Sequence, residues 1–529
     1  MTVFSSSSSL WPQRLAQLSD PRLLGMRRGI EKESLRALPS GQLALTPHPH
    51  ALGSALTHPH ITTDYSESQL ELITGVHASA QACIDELTQV HQFTLRTLAA
   101  QGDELLWAAS MPCGLPTDET IPLGRYGSSN VGRAKSVYRM GLGLRYGRRM
   151  QTISGIHYNW SLPEVSSADY FGLIRNFRRH AFLLLVLLGA SPAVCRSFVE
   201  GRDHPLIPID EAHTGTLHLP YATSLRMGKL GYQSDAQASL RVSYNCLDRY
   251  TASLHDALTR PWPAYEALGI RNPGGDYLQL ATTLLQIENE FYGTIRPKRT
   301  IFQGERPLHA LRERGVEYVE VRLLDLDPFE PVGIQASTLR FLDVFLLHAL
   351  LSPSPPDTPE EIEAIAHNQH LTAARGREPG LELRREGQPV TLNAWGQELL
   401  ADMQPIAQRL DAVHQLDPET PDSHTQAWSQ MVQRLAQLDN APSARVLQQV
   451  QARDDRSFVG FVRERSAEIR AHLLSLPWSE AQQSAAQAES QQSLADQKTI
   501  EANDSLPFEI YRQQYTSPHR LGEHLTPPC

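Results

Sequence analysis

The sequence predicts a mixed α+β fold, and three observations support this class. Several short segments alternate apolar and polar residues, as half-buried strands do, and the clearest of them is 316–323. Longer segments such as 165–190 place apolar residues at helical spacing. Beyond a proline-rich stretch at 352–359, the apolar residues keep helical spacing throughout. At 529 residues the chain is long enough to bury a large core.

Composition divides the chain into four parts. The serine-rich segment 1–14 is expected to be a disordered lead, and residues 15–351 are expected to form the α+β core that carries the chemistry. Residues 352–476 are expected to be a helical section packed on that core. The polar segment 477–529 is expected to be a tail that is partly disordered.

Charge and composition exclude several classes of partner. A net charge of -10 and a pI near 6.1 give no basic field that would attract nucleic acid. The most apolar run, 181–188, is far shorter than the roughly 20 residues that span a membrane. The five cysteines lack the spacing of a zinc knuckle or a disulfide framework, which favours a reducing compartment. We therefore expect a cytoplasmic monomer that acts on small molecules.

The segment 29–36, Gly-Ile-Glu-Lys-Glu-Ser-Leu-Arg, carries two carboxylates two residues apart. In a strand, Glu31 and Glu33 face the same way, about 6.6 Å apart. Their repulsion costs about 2.5 kcal/mol at an effective dielectric of about 20, and a cation would remove that cost. The simpler interpretation is a solvated edge strand, because exposed charge is common on protein surfaces.

Further acidic residues lie on other predicted strands. Asp64 and Glu71 follow the first pair along the chain, and Glu320 faces away from the apolar side of its strand. The strand around His157 has one aromatic face and one polar face, which suits a sheet that packs helices on one side and ligand on the other. If the polar faces converge, several oxygens and one imidazole surround a hard cation such as Mg²⁺ or Mn²⁺.

Basic residues near these acids indicate phosphate chemistry. Arg322 follows Glu320 by two residues, and Arg296 and Lys298 lie in the basic stretch 296–299. In phosphoryl transfer, such side chains hold phosphate oxygens while metal ions bridge them. The alternatives are an ion pair on one strand face and a solvated turn. The sequence has no P-loop, no dinucleotide-binding motif and no nucleophile elbow.

A series of short motifs carries a more specific resemblance. In chain order they are 29–36, 51–58, 61–64, 126–130, 150–159, 219–226, 286–290, 295–299 and 318–322. Taken together, they closely resemble the proteobacterial-type glutamate–cysteine ligases (γ-glutamylcysteine synthetases). The similarity extends from about residue 15 to residue 340 and continues more loosely to about residue 476.

The resemblance implies a fold and a reaction. The implied fold is glutamine-synthetase-like, an antiparallel β-sheet funnel with surrounding helices and a helical C-terminal section. The implied reaction is the ATP-dependent joining of the L-glutamate γ-carboxyl to the L-cysteine amine through γ-glutamyl phosphate, the first step of glutathione synthesis. Mg²⁺ is the implied cofactor, with Mn²⁺ as an alternative, and ATP is the implied co-substrate.

Roles for individual residues follow from their positions in the motifs. The implied metal ligands are Glu31, Glu33, Asp64, Glu71, His157 and Glu320. The implied catalytic arginines are Arg139, Arg226 and Arg322. The residues expected to meet the ATP phosphates are Arg322, Arg296 and Lys298. The implied lining of the amino-acid pockets is Tyr65, Tyr138, Leu142, Gln151, Tyr232 and Tyr292.

Three other functions are compatible with the same residues. A ligase of the same fold could use a different amine. A metal-dependent hydrolase could use the same carboxylates without ATP. A regulator without catalytic activity would need none of these side chains for chemistry.

Overall fold

The computed structural model describes residues 10–521, apart from residues 113, 231–235, 237–239 and 303. The strands of this described part are, in chain order, β1 (Arg27–Ala37), β2 (Ile61–Thr63), β3 (Gln69–Ile73), β4 (Leu105–Leu106), β5 (Ile156–Ser161), β6 (Ala193–Cys195), β7 (Ile207–Pro208), β8 (Thr216–His218), β9 (Ile295–Lys298), β10 (Tyr318–Leu324), β11 (Glu382–Arg385) and β12 (Gln388–Thr391).

Helices surround these strands and dominate the second half of the chain. The helices of the described part are α1 (Leu10–Gln17), α2 (Asp20–Leu24), α3 (Ala80–Gln101), α4 (Asn130–Tyr146), α5 (Ser167–Leu188), α6 (Arg196–Val199), α7 (Leu247–Thr259), α8 (Pro263–Leu268), α9 (Pro307–Arg314), α10 (Ala336–Leu351), α11 (Pro359–Arg375), α12 (Leu392–His414), α13 (His424–Ala436), α14 (Pro442–Ala452), α15 (Phe458–Ser475), α16 (Glu480–Asn503) and α17 (Phe508–Thr516).

One central sheet organises the described chain. Its strand order is β2-β3-β1-β5-β10-β9, with β4 paired to the end of β1, and the neighbouring strands are antiparallel. The register sets Glu31 opposite His157 and Glu33 opposite Glu71. Because side chains alternate between the two faces of a strand, these four side chains share one face. Glu320 joins them, since its strand neighbour is Asn159, two residues beyond His157.

The opposite face of the sheet packs against helices. Ile30, Leu72, Tyr158 and Val321 point to this side and are buried. Helices α3 and α5 contact this side of the sheet, and α10 packs on both of these helices. Successive side chains of these strands thus alternate between the apolar core and the charged face, as the sequence pattern predicted.

A buried polar link ties the sheet to α10. Arg28 of β1 forms an ion pair with Asp343 at 2.9 Å, and the hydroxyl of Tyr158 donates to Asp343 at 2.6 Å. The side chains of the ion pair are almost completely buried. Separating the two partners would leave a buried charge without compensation, which is strongly unfavourable. The ion pair therefore holds β1 and β5 at a fixed position on the helical layer.

Two elements differ from the sequence expectations. The first helix begins at residue 10, inside the stretch 1–14 expected to lack structure, because Trp11 is buried in the core. The hairpin of β11 and β12 interrupts the section 352–476 that was predicted to be helical. Its turn residues Glu386 and Gly387 both have positive φ, as a tight two-residue hairpin requires. The polar tail carries α16 and α17.

Two further observations concern membranes and thiols. No helix in the described ranges has both the length and the apolar character of a membrane span. Cys246 is disulfide-bonded, which the scattered cysteine pattern did not predict, whereas Cys83 and Cys195 are free thiols. The described architecture confirms the predicted α+β class with an antiparallel sheet and a largely helical second half.

Candidate active site

A cluster of carboxylates around one imidazole occupies the open face of the central sheet. The Nδ1 atom of His157 lies 3.1 Å from a carboxylate oxygen of Glu31, and the side-chain amide of Asn159 donates to the other oxygen at 2.9 Å. One donor atom each from Glu31, Glu71 and His157 lies within 4.8 Å of the other two. The sheet register therefore brings together three of the predicted metal ligands.

Glu33 extends this cluster toward the end of β5. One oxygen of its buried carboxyl accepts a hydrogen bond from the backbone N–H of Gly155 at 2.6 Å, and the other lies 3.7 Å from Nε2 of His157. Burial, and then the charge of Asp64, raises the pKa of Glu33 to about 8. Burial, followed by the charges of Glu31, Asp64 and Glu33, holds the pKa of Glu71 well above its usual range.

Burial is the largest cause of both pKa rises, and the charges of neighbouring carboxylates add to it. A hard divalent cation would offset those charges, and carboxylate oxygens with an imidazole nitrogen are suitable ligands for it. The donor set therefore fits a Mg²⁺ or Mn²⁺ ion. Asp64 contributes charge to the cluster from the loop that follows β2.

Glu320 occupies a different electrostatic environment. Its carboxylate lies 3.0 Å from Nζ of Lys298 and accepts a hydrogen bond from Arg322 at 2.9 Å. Burial alone would raise the pKa of Glu320, but Lys298 and Arg322 outweigh burial and hold it well below its usual range. Glu320 is therefore ionised and joins the carboxylate cluster to the basic side of the site.

Arg226 reaches the same region from the loop after β8. Its Nη2 atom donates to the backbone carbonyl of Arg322 at 2.8 Å, and its Nη1 atom lies 3.7 Å from the carboxylate of Asp325. Residue 155 is glycine, and a Cβ atom there would overlap the guanidinium of Arg226. The close approach of Arg226 to the sheet therefore depends on Gly155.

A cavity of about 460 Å³ opens beside these groups. Glu33, His157, Arg226, Arg322 and Tyr292 all line it. The cavity continues to an apolar region, whose walls include Phe291, Ile362 and Ile365. Acidic and basic side chains thus share one cavity with enough room for a ligand of nucleotide size.

The remaining predicted basic residues contact the main chain or the cluster. The guanidinium of Arg139 donates to the backbone carbonyl of Asp64 and packs 4.5 Å from the ring centre of Tyr126. Arg296 donates to the carbonyl of Asn289 at 3.0 Å and to that of Phe291. Each guanidinium is thereby held close to the acidic face.

Some residues that were predicted to line the amino-acid pockets contact one another or adjoining positions. The hydroxyl of Tyr292 donates to the side-chain oxygen of Gln151 at 3.0 Å. The buried hydroxyl of Tyr65 has no hydrogen-bond partner among the described residues. It lies against Gly143 of α4, the neighbour of Leu142, and Tyr138 is one helical turn earlier. Tyr232 lies outside the described residues.

Sequence reasoning did not select Asn159 and Asp325. Asn159 follows His157 at the two-residue spacing of a strand face, so the alternation contained a signal for it. Asp325 comes just after β10, and its role depends on the position of Arg226, about a hundred residues away in the chain. No local pattern predicts that contact.

The antiparallel sheet and its carboxylate face agree with the class of enzyme that the motif resemblance implies, the carboxylate–amine ligases of glutamine-synthetase-like fold. The family model described as glutamate–cysteine ligase matches residues 13–372 of this chain. The chain therefore belongs to the glutamate–cysteine ligase family, and the predicted family is confirmed.

Individual relatives cover nearly the whole chain. A glutamate–cysteine ligase of Alcanivorax borkumensis is 45% identical over 515 residues, which cover 93% of this chain and 96% of the relative. A crystal structure of glutamate–cysteine ligase from Francisella tularensis in complex with AMP has a TM-score of 0.87 at 35% identity and covers 94% of this chain and 98% of that one. The fold is shared with a bifunctional glutathione synthetase from Pasteurella multocida, whose crystal structure has a TM-score of 0.65 at 23% identity. This match covers 88% of this chain and 55% of that one.

Proposed function

We propose that this chain joins the γ-carboxyl of L-glutamate to the amine of L-cysteine and converts ATP to ADP and phosphate. Membership of the glutamate–cysteine ligase family supports this reaction. One observation carries the assignment of the reaction to this site. Metal-ligating atoms of Glu31, Glu71 and His157 lie within 4.8 Å of one another, next to a cavity that Arg226 and Arg322 line.

Bound Mg²⁺ is part of the proposal, with Mn²⁺ as an alternative. Its ligands would be drawn from Glu31, Glu33, Asp64, Glu71, His157 and Glu320. When bound, a divalent ion neutralises triphosphate charge and polarises the phosphoryl group that is transferred. The raised pKa of Glu33, caused by burial and then by Asp64, supports this choice because a nearby cation would favour the ionised carboxylate.

The first chemical step activates glutamate. A carboxylate cannot acylate an amine directly, because oxide is too poor a leaving group. The γ-carboxylate therefore attacks the γ-phosphorus of ATP and forms γ-glutamyl phosphate and ADP. The guanidinium groups of Arg322 and Arg226 hold the phosphoryl oxygens in line, and Arg296 and Lys298 add positive charge at the same side of the sheet.

In the second step the deprotonated amine of cysteine attacks the activated carbonyl carbon and displaces phosphate. The residues proposed to position the two amino acids are Arg139, Tyr65, Tyr138, Leu142, Gln151, Tyr232 and Tyr292. Tyr292 lines the cavity, and its hydrogen bond to Gln151 fixes these two side chains relative to one another. Precise placement of the two reactants accounts for much of the rate enhancement in such reactions.

The compartment, the oligomeric state and the domain organisation of the enzyme are also proposed. We infer a cytoplasmic monomer that acts on ATP and two amino acids and has no nucleic-acid partner. We also propose that residues 15–351 form the catalytic unit, with 352–476 packed on it and 477–529 as an accessory tail. Hydrodynamic measurement of the purified chain tests the oligomeric state.

Coupled detection of ADP release tests the reaction. The full chain is given ATP, Mg²⁺ and L-glutamate, and L-cysteine, glycine and L-alanine are then added one at a time. We expect ADP release to require both L-glutamate and L-cysteine. Release that is indifferent to the added amine contradicts the assignment, and a preference for another amine identifies a different ligase. Glu31→Gln should abolish the signal, whereas unchanged activity would remove Glu31 from the site.

A further inference from the structure

The helices of the polar tail, α16 and α17, pack against three of the motifs that carry the family resemblance, 51–58, 126–130 and 286–290. The proposed reaction assigns no direct role to residues of these motifs. In the first motif, the backbone N–H of Ser54 donates to Oγ of Ser493 at 3.0 Å, and Oγ1 of Thr57 donates to the carbonyl of Ser493 at 2.6 Å. The contacts with the other two motifs surround α4, which carries three of the side chains proposed to position the amino acids.

The start of α4 is held by two carboxylates of the tail. The backbone N–H of Ser128 donates to Glu501 at 2.8 Å, and that of Asn130 donates to Asp504. The first N–H groups of a helix have no partner within it, and the partial positive charge there favours nearby acids. The side-chain amide of Asn130 also donates to the carbonyl of Leu506 at 2.9 Å. These contacts with the tail fix the position at which α4 begins.

A second attachment joins α17 to the middle of α4 through a path of hydrogen bonds. The buried guanidinium of Arg512 donates to the carbonyl of Leu280 at 2.6 Å, and the N–H of Leu280 donates to the side chain of Gln286 at 2.9 Å. The side-chain amide of Gln286 then donates to the carbonyl of Tyr138 in α4 at 3.4 Å. Residue 141 is glycine, and a Cβ atom there would overlap Gln286, so this side chain lies directly against the helix.

Apolar packing reinforces the second attachment. Phe508 of α17 forms a buried cluster with Ala134 and Leu280, and Val137 and Tyr138 pack against it. Aromatic side chains bury a large area and so contribute strongly to such contacts. The tail therefore packs on the part of α4 that carries Tyr138.

Other positions of α4 face the candidate active site. Arg139 donates to the backbone carbonyl of Asp64, and Gly143 lies against the hydroxyl of Tyr65. Because protein interiors are closely packed and transmit displacements, an attachment on one side of a helix sets the position of side chains on another side. None of the described tail residues lines the cavity beside the carboxylate cluster. The tail is therefore placed to act on the site through α4, without touching a substrate.

We propose that the tail helices α16 and α17 position α4 for the binding of the amino-acid substrates, with Asp504 and Arg512 as positioning residues. Asp504 holds the start of the helix, and Arg512 holds its middle through the path of hydrogen bonds. Loss of either attachment lets α4 shift relative to the sheet. The proposal rests on the proposed function, because the substrate-binding roles of Tyr138, Arg139 and Leu142 come from it.

The test uses the full chain and four substitutions. Arg512→Ala breaks the buried path, Arg512→Lys keeps a charged donor there, and Asp504→Ala removes the acceptor at the start of α4. Asp496→Ala is the matched control, because this exposed carboxylate also lies on the tail but accepts a hydrogen bond from Gln492 of its own helix. Coupled ADP release gives KM and kcat for each substrate, and melting curves verify folding. Asp504 is exposed, so Asp504→Ala decides the outcome if Arg512→Ala does not fold.

We expect Arg512→Ala to raise KM for at least one amino acid about tenfold and Asp504→Ala to raise it about threefold, while KM for ATP changes by less than about twofold. Arg512→Lys should restore most of the loss, and Asp496→Ala should match the unmodified chain. Loss of folded protein lowers the apparent kcat and leaves KM unchanged, so the pattern separates positioning from destabilisation. Unchanged KM for both amino acids, or an equal rise in KM for ATP, overturns the proposal.

Hydrogen exchange of the α4 backbone tests the attachment without any substrate. Exchange in α4 should be faster in Arg512→Ala and Asp504→Ala than in the unmodified chain and in Asp496→Ala, because the helix has lost an attachment. Equal exchange in all four proteins overturns the positioning role of the tail. Absence of ADP release from the unmodified chain contradicts the proposed function instead, so the two failures are distinguishable.

Discussion

The carboxylate of Asp325 lies 3.7 Å from Nη1 of Arg226, while Nη2 of the same guanidinium donates to the carbonyl of Arg322 at 2.8 Å. Both charged side chains are buried. Asp325 also accepts hydrogen bonds from Ser224 Oγ at 3.0 Å and from the backbone N–H of Ala190 at 2.9 Å. Asp325 thus orients Arg226 toward the cavity without lining it, which makes it a positioning residue.

Asp325→Asn should lower kcat by on the order of 10²-fold, because the guanidinium of Arg226 loses its charged anchor and shifts relative to the transferred phosphoryl group. KM for the amino acids should change much less. The measurement is coupled ADP release over a range of substrate concentrations. The control is Asp327→Asn, a partly buried carboxyl two residues later that accepts a hydrogen bond from the backbone N–H of Phe329. Equal losses in both variants would indicate general destabilisation instead.

Gly155→Ala tests whether Arg226 must lie against the sheet. A methyl group at this position would overlap the guanidinium of Arg226, so we expect that side chain to be displaced and activity to fall by on the order of 10²-fold. Gly215→Ala is the control, since no atom lies within 4 Å of an added Cβ there. Full activity of Gly155→Ala would show that the close approach of Arg226 to the sheet at Gly155 is not needed for the reaction.

Glu320→Ala should abolish activity while the chain stays folded. The substitution leaves Lys298 and Arg322 without their shared carboxylate partner, so both cations move away from the phosphate position. Coupled ADP release measures activity, and circular dichroism measures folding. Glu317→Ala, on the exposed side of the same strand region, should remain active. Unchanged turnover of Glu320→Ala would exclude Glu320 from the site.

Glu71→Gln should raise the Mg²⁺ concentration needed for half-maximal ADP release by about 10- to 100-fold, because a proposed oxygen ligand loses its charge. The measurement is a Mg²⁺ titration at saturating ATP and amino acids. Glu67→Gln is the matched control, since that buried carboxylate accepts backbone hydrogen bonds from His48 and Arg125 and does not belong to the cluster. The same Mg²⁺ requirement in Glu71→Gln and the unmodified chain would remove Glu71 from the metal ligands.

The sequence predicted the acidic face well because strand alternation is a local property. Glu31 and Glu33 share a face by their spacing alone, and the alternation around His157 gave the correct face for the imidazole. The interpretation of segment 29–36 as a solvated edge strand is wrong. β1 lies between β3 and β5, and Lys32 is buried on the opposite face, where it contacts Ser34 at 2.7 Å.

Contacts that depend on the tertiary fold were not predictable from the sequence. The pairing of Asp325 with Arg226 joins residues on separate loops, and no spacing rule relates them. The hairpin at Glu386 and Gly387 was missed because neither residue belongs to a strong hairpin dipeptide, although both adopt positive φ. The motif resemblance supplied the arginine assignments that periodicity could not supply.

Glu330→Gln should stabilise the folded chain at alkaline pH and have little effect at acidic pH. Burial, and then the charge of Asp327, raises the pKa of Glu330 to about 7 from the usual 4.5. Between pH 4.5 and about pH 7 the folded state keeps a proton on Glu330 that the unfolded state releases. Glu330 therefore lowers the free energy of unfolding progressively as pH rises through this range, and its full effect is reached above about pH 7. After a discount for partial exposure, the gain at about pH 8 is about 1 to 2 kcal/mol, measured by urea unfolding. The exposed control Glu419→Gln should show no such pH dependence, and an equal gain for Glu330→Gln at about pH 5 would contradict the assignment of the buried proton to Glu330.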